Sequence, residues 1–399
     1  HIAQSVADLL ADKSYFATRI AAADQEKELD KQVIAYLDIA RDAMQVYELQ
    51  ESLSWLNVRA IEEAFNDMKR NKSFDQAANQ SRLSTLKALV NKGFDGIYSN
   101  DATTIKEAKQ ALQLKRDILL ANPELDMDKL IVGRYHIGTA ARKINPPALG
   151  TQNNNWSNQS NASRRGFNAE IVELSNLRGD VQSRTIFKPD NGSSVPDLKL
   201  HWNADRVMFS MVDTDNRWQV FEVGMDGKGL KNLIESPEKD LEFFDATWLP
   251  SGKIMAVSNI GYNGVPCVNG NSEVGNMVLY NPEDKSLRRL TFDQDANWSP
   301  VVMNNGKVMY TRWEYTDLTH YFSRFVMHMN PDGTEQKALY GSGAYFPNST
   351  FDAKPIPGQA SGFIGIISGH HGVARSGRLI LFDPSKGRKS TLGMVQELP

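Results

Sequence analysis

Four similar segments in the second half of the chain constrain the fold more than any other feature. Their first strand patterns are DRVMFSMV at 205–212, GKIMAVSN at 252–259, GKVMYTRW at 306–313 and GFIGIISG at 362–369. In each copy a variable loop and a second apolar strand follow, and then an Asp/Gly/Pro turn leads into another short strand. Units of about 50 residues with this order are typical of four-stranded β-propeller blades.

A shorter piece precedes these four units. Residues 169–187 contain two strand patterns and a turn, so we expect them to pair as the outer half of another blade without its inner strands. The chain then carries about four and a half blades, and most propellers close with more, up to about eight. We therefore expect about six or seven blades in the intact protein, of which this chain is a fragment.

The first third of the chain predicts helices. Apolar stripes at helical spacing cover 33–47 and 53–68, and a third, shorter stripe covers 83–90. Thr104 and Glu107 form a capping-box signature that predicts the start of a fourth helix. We expect antiparallel helices with these stripes in their core, in a structural domain or one that docks a protein partner.

The expected fold class is therefore α+β and multidomain. We assign 1–125 to an α-helical domain, 126–166 to a polar linker or loop region, and 167–399 to a partial β-propeller. The segment 145–166 is rich in Asn, Ser and Gln, with little that could form a core. Loops of this length in a compact protein are often functional.

Composition excludes several classes of function. The net charge is -3, so no basic field favours a nucleic-acid partner. No apolar run reaches the length of about 20 residues that spans a bilayer, so no transmembrane segment is expected. Cys267 is the only cysteine, which excludes an internal disulfide and a C-x-x-C-H haem attachment in this chain. The chain begins at His1 without a methionine, as a processed or trimmed chain would.

In each copy the variable loop after the repeated strand pattern corresponds to the loop between the second and third strands of a blade. These loops are expected to share one face of the propeller and to surround one opening. The candidate ligand-binding residues in these loops are Asp213, Tyr262, Glu314, Asp317 and Arg375. The candidate catalytic residues are Arg312, Tyr315, His320, His370 and His371. The candidate metal ligands are His370, His371 and Cys267, for a divalent ion such as zinc or calcium. By contrast, His201 and Trp202 begin the first full blade and are expected to be structural.

Two adjacent histidines stand out in the fourth loop, GHHGVARSG, because the chain has only seven. Neighbouring side chains on an extended segment point in opposite directions. We therefore expect His370 or His371 to face the opening, where it binds an ion or transfers protons, while the other is structural. A solvated turn without a function is the alternative.

The ordered motifs resemble a known family. NADRVMFSMV, WSPVVMNNGKVMYTRWEYTD and GHHGVARSGRLILFDPSKGR resemble the propeller-bearing middle region of the hydrazine synthase alpha subunit and related bacterial proteins of unknown role. The resemblance covers about Leu198 to Arg388 and implies an extracytoplasmic bacterial propeller with a polar mouth. In that enzyme the region lies near a c-type haem and a zinc ion, and only the His370–His371 position carries over. Because this chain has no covalent haem site, hydrazine synthesis is not expected.

Three functions remain open from the sequence. The first is a periplasmic, cell-surface or secreted protein that acts on a uronate-containing polysaccharide, as a lyase or glycosidase rather than an oxidoreductase. Histidine or tyrosine would transfer the proton, arginine would neutralise the uronate, and Trp313, Tyr315, Tyr321 and Tyr345 would stack on sugar rings. The second, equally favoured, is a binding or scaffolding propeller. The third is a haem-free, metal-dependent redox protein.

Overall fold

The computed structural model describes residues 2–125, 127–135, 162–266, 269–314, 323–369 and 377–398. They separate into two compact units. The first comprises His1–Asp128 with Asn176–Val181, and the second comprises Lys129–Ser175 with Gln182–Pro399. No helix in the described part of the chain combines the length and the apolar character needed to span a membrane.

The first unit is helical, as the sequence predicts. Its described α-helices are α1 (Ile2–Ala7), α2 (Ser14–Asp24), α3 (Leu29–Ser54), α4 (Val58–Met68), α5 (Gln76–Lys92) and α6 (Ala102–Leu120). The start of α6 differs from the predicted capping box. Asp101 is the N-cap, and its side chain accepts hydrogen bonds from the backbone and hydroxyl of Thr104. An aspartate three residues before Thr104 therefore satisfies the amide that the capping box would have left to Glu107.

Helix α3 packs only Ala40 and Tyr47 of the stripe that the sequence placed in the core against that core. Val33, Leu37 and Met44 are exposed. The buried face of α3 consists of Ile39, Ala43, Val46 and Leu49. The helix carries apolar residues on more than one face, and only one face packs against α1, α2 and α6. Periodicity alone detects an apolar face, but it cannot say which of two such faces is covered.

The second unit contains four complete antiparallel blades, which confirms the predicted β-propeller fold class. Blade 1 comprises β4 (Lys199–Leu200), β5 (Arg206–Val212), β6 (Trp218–Gly224) and β7 (Lys231–Asn232). Blade 2 comprises β8 (Phe243–Trp248), β9 (Ile254–Ser258), β10 (Asn276–Asn281) and β11 (Ser286–Arg289). Blade 3 comprises β12 (Asn297–Val302), β13 (Val308–Trp313), β14 (Arg324–Met329) and β15 (Lys337–Tyr340). Blade 4 comprises β16 (Ser349–Pro355), β17 (Phe363–Ser368), β18 (Arg378–Phe382) and β19 (Met394–Leu398).

A partial blade precedes blade 1 and has one strand more than predicted. Strands β2 (Ala169–Ser175) and β3 (Gln182–Phe187) pair antiparallel, as expected. Strand β1 (Lys129–Tyr135) pairs with β2 along its whole length, in a region that the sequence assigned to a linker. Its sequence, KLIVGRY, is too short for a clear alternating pattern. The polar segment is therefore the connection between β1 and β2.

The first strands of blades 2, 3 and 4 share one irregularity, and blade 1 has a similar backbone conformation just before its first strand. In β8, β12 and β16 the pairing register shifts at Asp245, Ser299 and Asp352, which adopt positive φ angles of 46°, 55° and 49°. Asp197, just before β4, has a φ of 62°. A left-handed conformation is tolerated best by glycine, but Asp accepts it because its short side chain can hydrogen-bond locally. These residues occupy equivalent positions in four successive blades, and we call Asp197, Asp245, Ser299 and Asp352 the inner ring.

Candidate functional site

The loops between the second and third strands of a blade lie beside the connections that lead from one blade to the next. In blade 1, Arg217 donates a hydrogen bond to the backbone oxygen of Lys239, in the connection to blade 2. In blade 3, the guanidinium of Arg312 lies 2.9 Å from a carboxylate oxygen of Asp293, in the connection from blade 2. These contacts, together with the alternating strand directions, group loops and connections at one end of the blades, which we call the mouth face.

Asp213 is held within its own loop. Its carboxylate accepts hydrogen bonds from the backbone amide of Arg217 at 2.9 Å and from the Arg217 guanidinium at 2.8 Å. Both side chains are mostly buried. The pair closes the tight turn between β5 and β6, so Asp213 lies on the mouth face but its charge is already used by Arg217.

Tyr262 is more accessible than Asp213. It lies in the loop that follows β9, adopts a φ of 50°, and is 56% exposed. Its hydroxyl donates a 3.2 Å hydrogen bond to Asp240, in the connection from blade 1. The phenol ring is therefore anchored at its polar end while much of its surface faces solvent.

Arg312 and Glu314 form one ionic group with Asp293. The Arg312 guanidinium lies 2.8 Å from Glu314 and 2.9 Å from Asp293. Asn297 also donates to Asp293, at 3.0 Å. Arg312 is thus held between two carboxylates, and a ligand carboxylate would have to displace one of them to reach it.

The other predicted site residues lie outside the described residues. These are Cys267, Tyr315, Asp317, His320, Tyr321, His370, His371 and Arg375. Their catalytic, ligand-binding and metal-binding roles remain predictions. Among the residues that the structure describes, no three His, Cys, Asp or Glu side chains come together in a way that could hold a metal ion.

Trp313 is not available to stack on a sugar, contrary to the expectation from the sequence. It is buried, with its ring stacked on Trp298 at 6.1 Å and 19°. The guanidinium of Arg324, also fully buried, lies 4.3 Å from the centre of the Trp313 ring. Trp313 ends β13 on the inward side of the pleat, where a large ring fills the space between blades.

Other aromatic rings are exposed on the mouth face. They are Tyr262, in a loop between second and third strands, and Phe292, Tyr345 and Phe346, in connections between blades. Tyr345, which the sequence proposed as a sugar-stacking residue, is 74% exposed. The Arg289 guanidinium lies 4.7 Å from the centre of the Phe292 ring and holds that ring on one side. All four rings therefore lie at the same end of the blades and are open to solvent.

The end of the long polar segment also reaches the mouth face. Arg164 forms an ion pair with the buried Glu242, and burial raises the pKa of that carboxyl above its usual range. Arg165 donates a 2.8 Å hydrogen bond to the backbone oxygen of Asp213. The segment from β1 to β2 therefore ends beside the first loop of blade 1.

The inner ring links the blades by a chain of hydrogen bonds. Ser210 donates to Asp197 at 2.7 Å and accepts from the backbone amide of Asp245 at 3.0 Å. The Asp245 carboxylate accepts from the amide of Ser299 at 2.6 Å, and the Ser299 hydroxyl donates to Asp352 at 3.3 Å. Each bulge residue is thus held by its neighbour around the axis.

Two groups near the inner ring have shifted pKa values. Burial raises the pKa of Asp197 to about 7, and the nearby Asp245 carboxylate adds to the shift. Burial lowers the pKa of Lys199 to about 8, and the neighbouring ammonium group of Lys354 acts in the same direction. In both cases the environment disfavours the charged form.

Sequence reasoning missed the inner ring, although its signal is present. The segments VPD, FFD, NWS and TFD occupy equivalent places in the four repeats, and the last residue of each is the inner-ring Asp or Ser. An aspartate at a fixed position of a buried strand is unusual, because carboxylates are rarely buried without partners. Aligning the first strands, instead of the second and third, would have revealed it.

The comparisons with known proteins define the fold. No family model and no curated protein matches the chain. Among solved structures, hydrazine synthase from Kuenenia stuttgartiensis is similar with a TM-score of 0.50 and 12% identity, over 66% of this chain and 38% of that chain. A putative TolB from Agrobacterium tumefaciens has a TM-score of 0.42 and 13% identity, over 68% of this chain and 90% of that chain. An oligogalacturonate lyase from Vibrio parahaemolyticus has a TM-score of 0.36 and 11% identity, over 60% of each chain.

The chain therefore contains a β-propeller. It resembles the propeller region of hydrazine synthase, as the sequence motifs indicated, and spans 38% of the length of that protein. At this level of identity the likeness establishes the fold and leaves the chemistry to the residues of this chain.

Proposed function

We propose that this chain is the carbohydrate-binding propeller of an extracytoplasmic bacterial protein, and that a glycan binds at the mouth face. The observation that carries the proposal is the group of exposed rings there: Tyr262, Phe292, Tyr345 and Phe346. A pyranose ring has an apolar C–H face that packs on an aromatic ring, and hydroxyls at its edge that need polar partners. Exposed aromatic rings beside charged, hydrogen-bonding side chains match both requirements.

The charges of the mouth face support stacking more than neutralisation of a uronate. Arg217 is held by Asp213, and Arg312 is held by Asp293 and Glu314. Each of these arginines still has N–H groups that can donate to a sugar hydroxyl, but its charge is compensated. Cleavage of a uronate chain would depend on Arg375 and on the histidines and tyrosines of the loops between second and third strands. The proposal is therefore glycan binding first, and catalysis only as an addition to binding.

The test is a binding panel with two arms. Neutral oligosaccharides and oligogalacturonates are titrated into the protein by calorimetry, with the Tyr345→Ala variant and the exposed Trp55→Ala of the helical unit as its matched control. We expect Tyr345→Ala to weaken binding by at least about tenfold, as loss of a central aromatic anchor does. Trp55→Ala should bind as the wild type does.

Two results would contradict the proposal, and a third would extend it. Equal binding by Tyr345→Ala and the wild type would remove the mouth face as the site. The absence of binding to any member of the panel would remove the glycan. Release of unsaturated products from oligogalacturonate, abolished by His370→Ala or His371→Ala, would add lyase activity to binding. Fractionation of the source cells tests the extracytoplasmic location, and a metal assay of the purified protein tests the histidine site.

A further inference from the structure

A groove of about 700 Å³ lies between blades 1 and 2, away from the mouth face. Its walls come from residues 201–206, between the first two strands of blade 1, and from 249–254, between the first two strands of blade 2. Turns that join first and second strands lie at the opposite end of a blade from loops that join second and third strands. The groove is therefore separate from the site proposed above and is not required by it.

One exposed tryptophan forms the rim of this groove. Trp202 is 60% exposed, and its ring is tilted by 58° against the His201 ring, with the two centroids 5.6 Å apart. His201 in turn packs perpendicular to Trp248 at 4.9 Å, and Trp248 is nearly buried in the wall. The sequence interpretation of His201 and Trp202 as structural fits His201. It does not account for Trp202, whose large ring lies beside His201 and is mostly exposed to solvent.

Hydrogen bonds fix the polar side of the groove. Arg206 lies 2.7 Å from Nε2 of His201, and because arginine can only donate, Nε2 accepts. The same guanidinium lies 3.4 Å from Glu222, which also pairs with Lys231 at 2.8 Å. The arrangement presents planar donor and acceptor groups that are already oriented before any ligand arrives.

The charges that line the groove are compensated within the protein. Glu222 pairs with both Arg206 and Lys231, and Glu235 pairs with Lys285 at 2.7 Å. An ion entering the groove would have to break one of these pairs. A neutral ligand can accept and donate hydrogen bonds without disturbing them.

We infer that this groove is a second saccharide site, which binds a neutral pyranose against Trp202 with its hydroxyls toward Arg206, Glu222 and Lys231. A neutral pyranose has a flat apolar face, hydroxyls at its edge and no charge. These match the Trp202 ring, the oriented donors and acceptors, and the compensated charges of the groove. A proline-rich peptide fits less well, because the grooves that bind such peptides present several exposed aromatic rings side by side. Here Trp248 and Tyr280 are nearly buried, which leaves Trp202 as the platform.

The experiment uses the whole chain and three variants with the neutral oligosaccharide series of the binding panel. Trp202→Ala removes the platform and Trp202→Phe retains an aromatic face. Trp55→Ala, also an exposed tryptophan, is the matched control. Binding is followed by calorimetry and by quenching of tryptophan fluorescence. We expect Trp202→Ala to weaken one class of sites by at least about tenfold, Trp202→Phe to restore most of that loss, and added salt to have little effect.

The outcomes separate this site from the mouth. If Tyr345→Ala loses one site and Trp202→Ala loses another, both proposals stand. If Tyr345→Ala has no effect while Trp202→Ala abolishes binding, the groove stands and the mouth proposal fails. Equal binding by Trp202→Ala and Trp55→Ala would overturn the groove proposal, and so would a salt-sensitive preference for oligogalacturonate in the sites that depend on Trp202. No quenching by any neutral oligosaccharide at millimolar concentration would overturn it as well.

Discussion

The inner strands of the blades and helix α3 differ in how far they bury their large apolar side chains. Strand β12 buries Trp298 completely, and the inner ring holds even carboxylates such as Asp245 away from solvent. Helix α3 leaves Leu37 62% exposed. Most side chains of the inner strands are enclosed by their own sheet and by neighbouring blades, so a polar side chain there needs a hydrogen-bonding partner. A helix at the edge of a bundle needs to cover only one of its faces.

This difference explains what the sequence could reveal. Four copies of one strand pattern report an environment that repeats, so the blade order and the register of the second and third strands could be predicted from the pattern alone. A single helical stripe has no such replication, and Val33 and Leu37 were placed in the core although they face solvent. The contrast between enclosed strands and a half-covered helix leads to three measurements.

The largest expected effect is at Trp298. Its ring lies 6.1 Å from Trp313 and 6.2 Å from Phe351, in a cluster that packs between blades 3 and 4. Trp298→Ala should lower the free energy of unfolding by about 3–5 kcal/mol, because it removes a large ring from a site that cannot collapse around the cavity. Urea unfolding followed by near-ultraviolet circular dichroism measures the change.

The matched control is Trp55→Ala, at an exposed tryptophan of the helical unit. It should change the free energy of unfolding by no more than about 0.5 kcal/mol. A loss below about 1 kcal/mol at Trp298, in the range of ordinary surface substitutions, would mean that the inner strands are not enclosed as described.

The second effect is the pH dependence of stability at the inner ring. The pKa of Asp197 is raised to about 7, so its contribution is complete below the unfolded value of about 4 and is lost as the pH rises through 7. The pKa of Lys199 is lowered to about 8, so its contribution is present above the unfolded value of about 10.5 and is lost as the pH falls through 8. Together they should produce a minimum of stability between pH 7 and 8.

Two substitutions divide this minimum into its parts. Asp197→Asn mimics the protonated carboxyl and can keep the hydrogen bond from Ser210, so the melting temperature should fall less than that of the wild type between pH 4 and 7. Lys199→Met should flatten the rise on the alkaline side. Asp215→Asn, at an exposed carboxylate of the mouth face, is the control and should follow the wild-type curve. Parallel curves for Asp197→Asn and the wild type would show that Asp197 titrates normally in the folded protein.

The candidate site was predictable in part, for a physical reason. The mouth face follows from blade topology, and the structure places Asp213, Tyr262, Arg312 and Glu314 on it. The sequence could not show that Asp293 also holds Arg312, because the two residues are separated by 19 positions. It also favoured Trp313 as a sugar platform, because composition does not distinguish a ring at the end of a strand from one in a connection. The sequence also did not reveal the exposed ring of Phe292 or the groove at Trp202. Both depend on which turns and connections lie close together, and only the fold specifies this.

The smallest expected effect is on helix α3, and it tests the comparison most directly. Leu37 and Ile39 lie two residues apart on opposite faces, one exposed and one buried. Leu37→Gln should change the free energy of unfolding by no more than about 0.5 kcal/mol, whereas Ile39→Ala should cost about 2–5 kcal/mol. Leu37→Gln should also reduce binding of a dye that reports exposed apolar surface. If instead Leu37→Gln destabilises the protein as much as Ile39→Ala does, this face of α3 is covered in solution. The half-covered helix would then be as enclosed as the inner strands, and a dilution series of the purified chain by light scattering would show whether a second copy provides the cover.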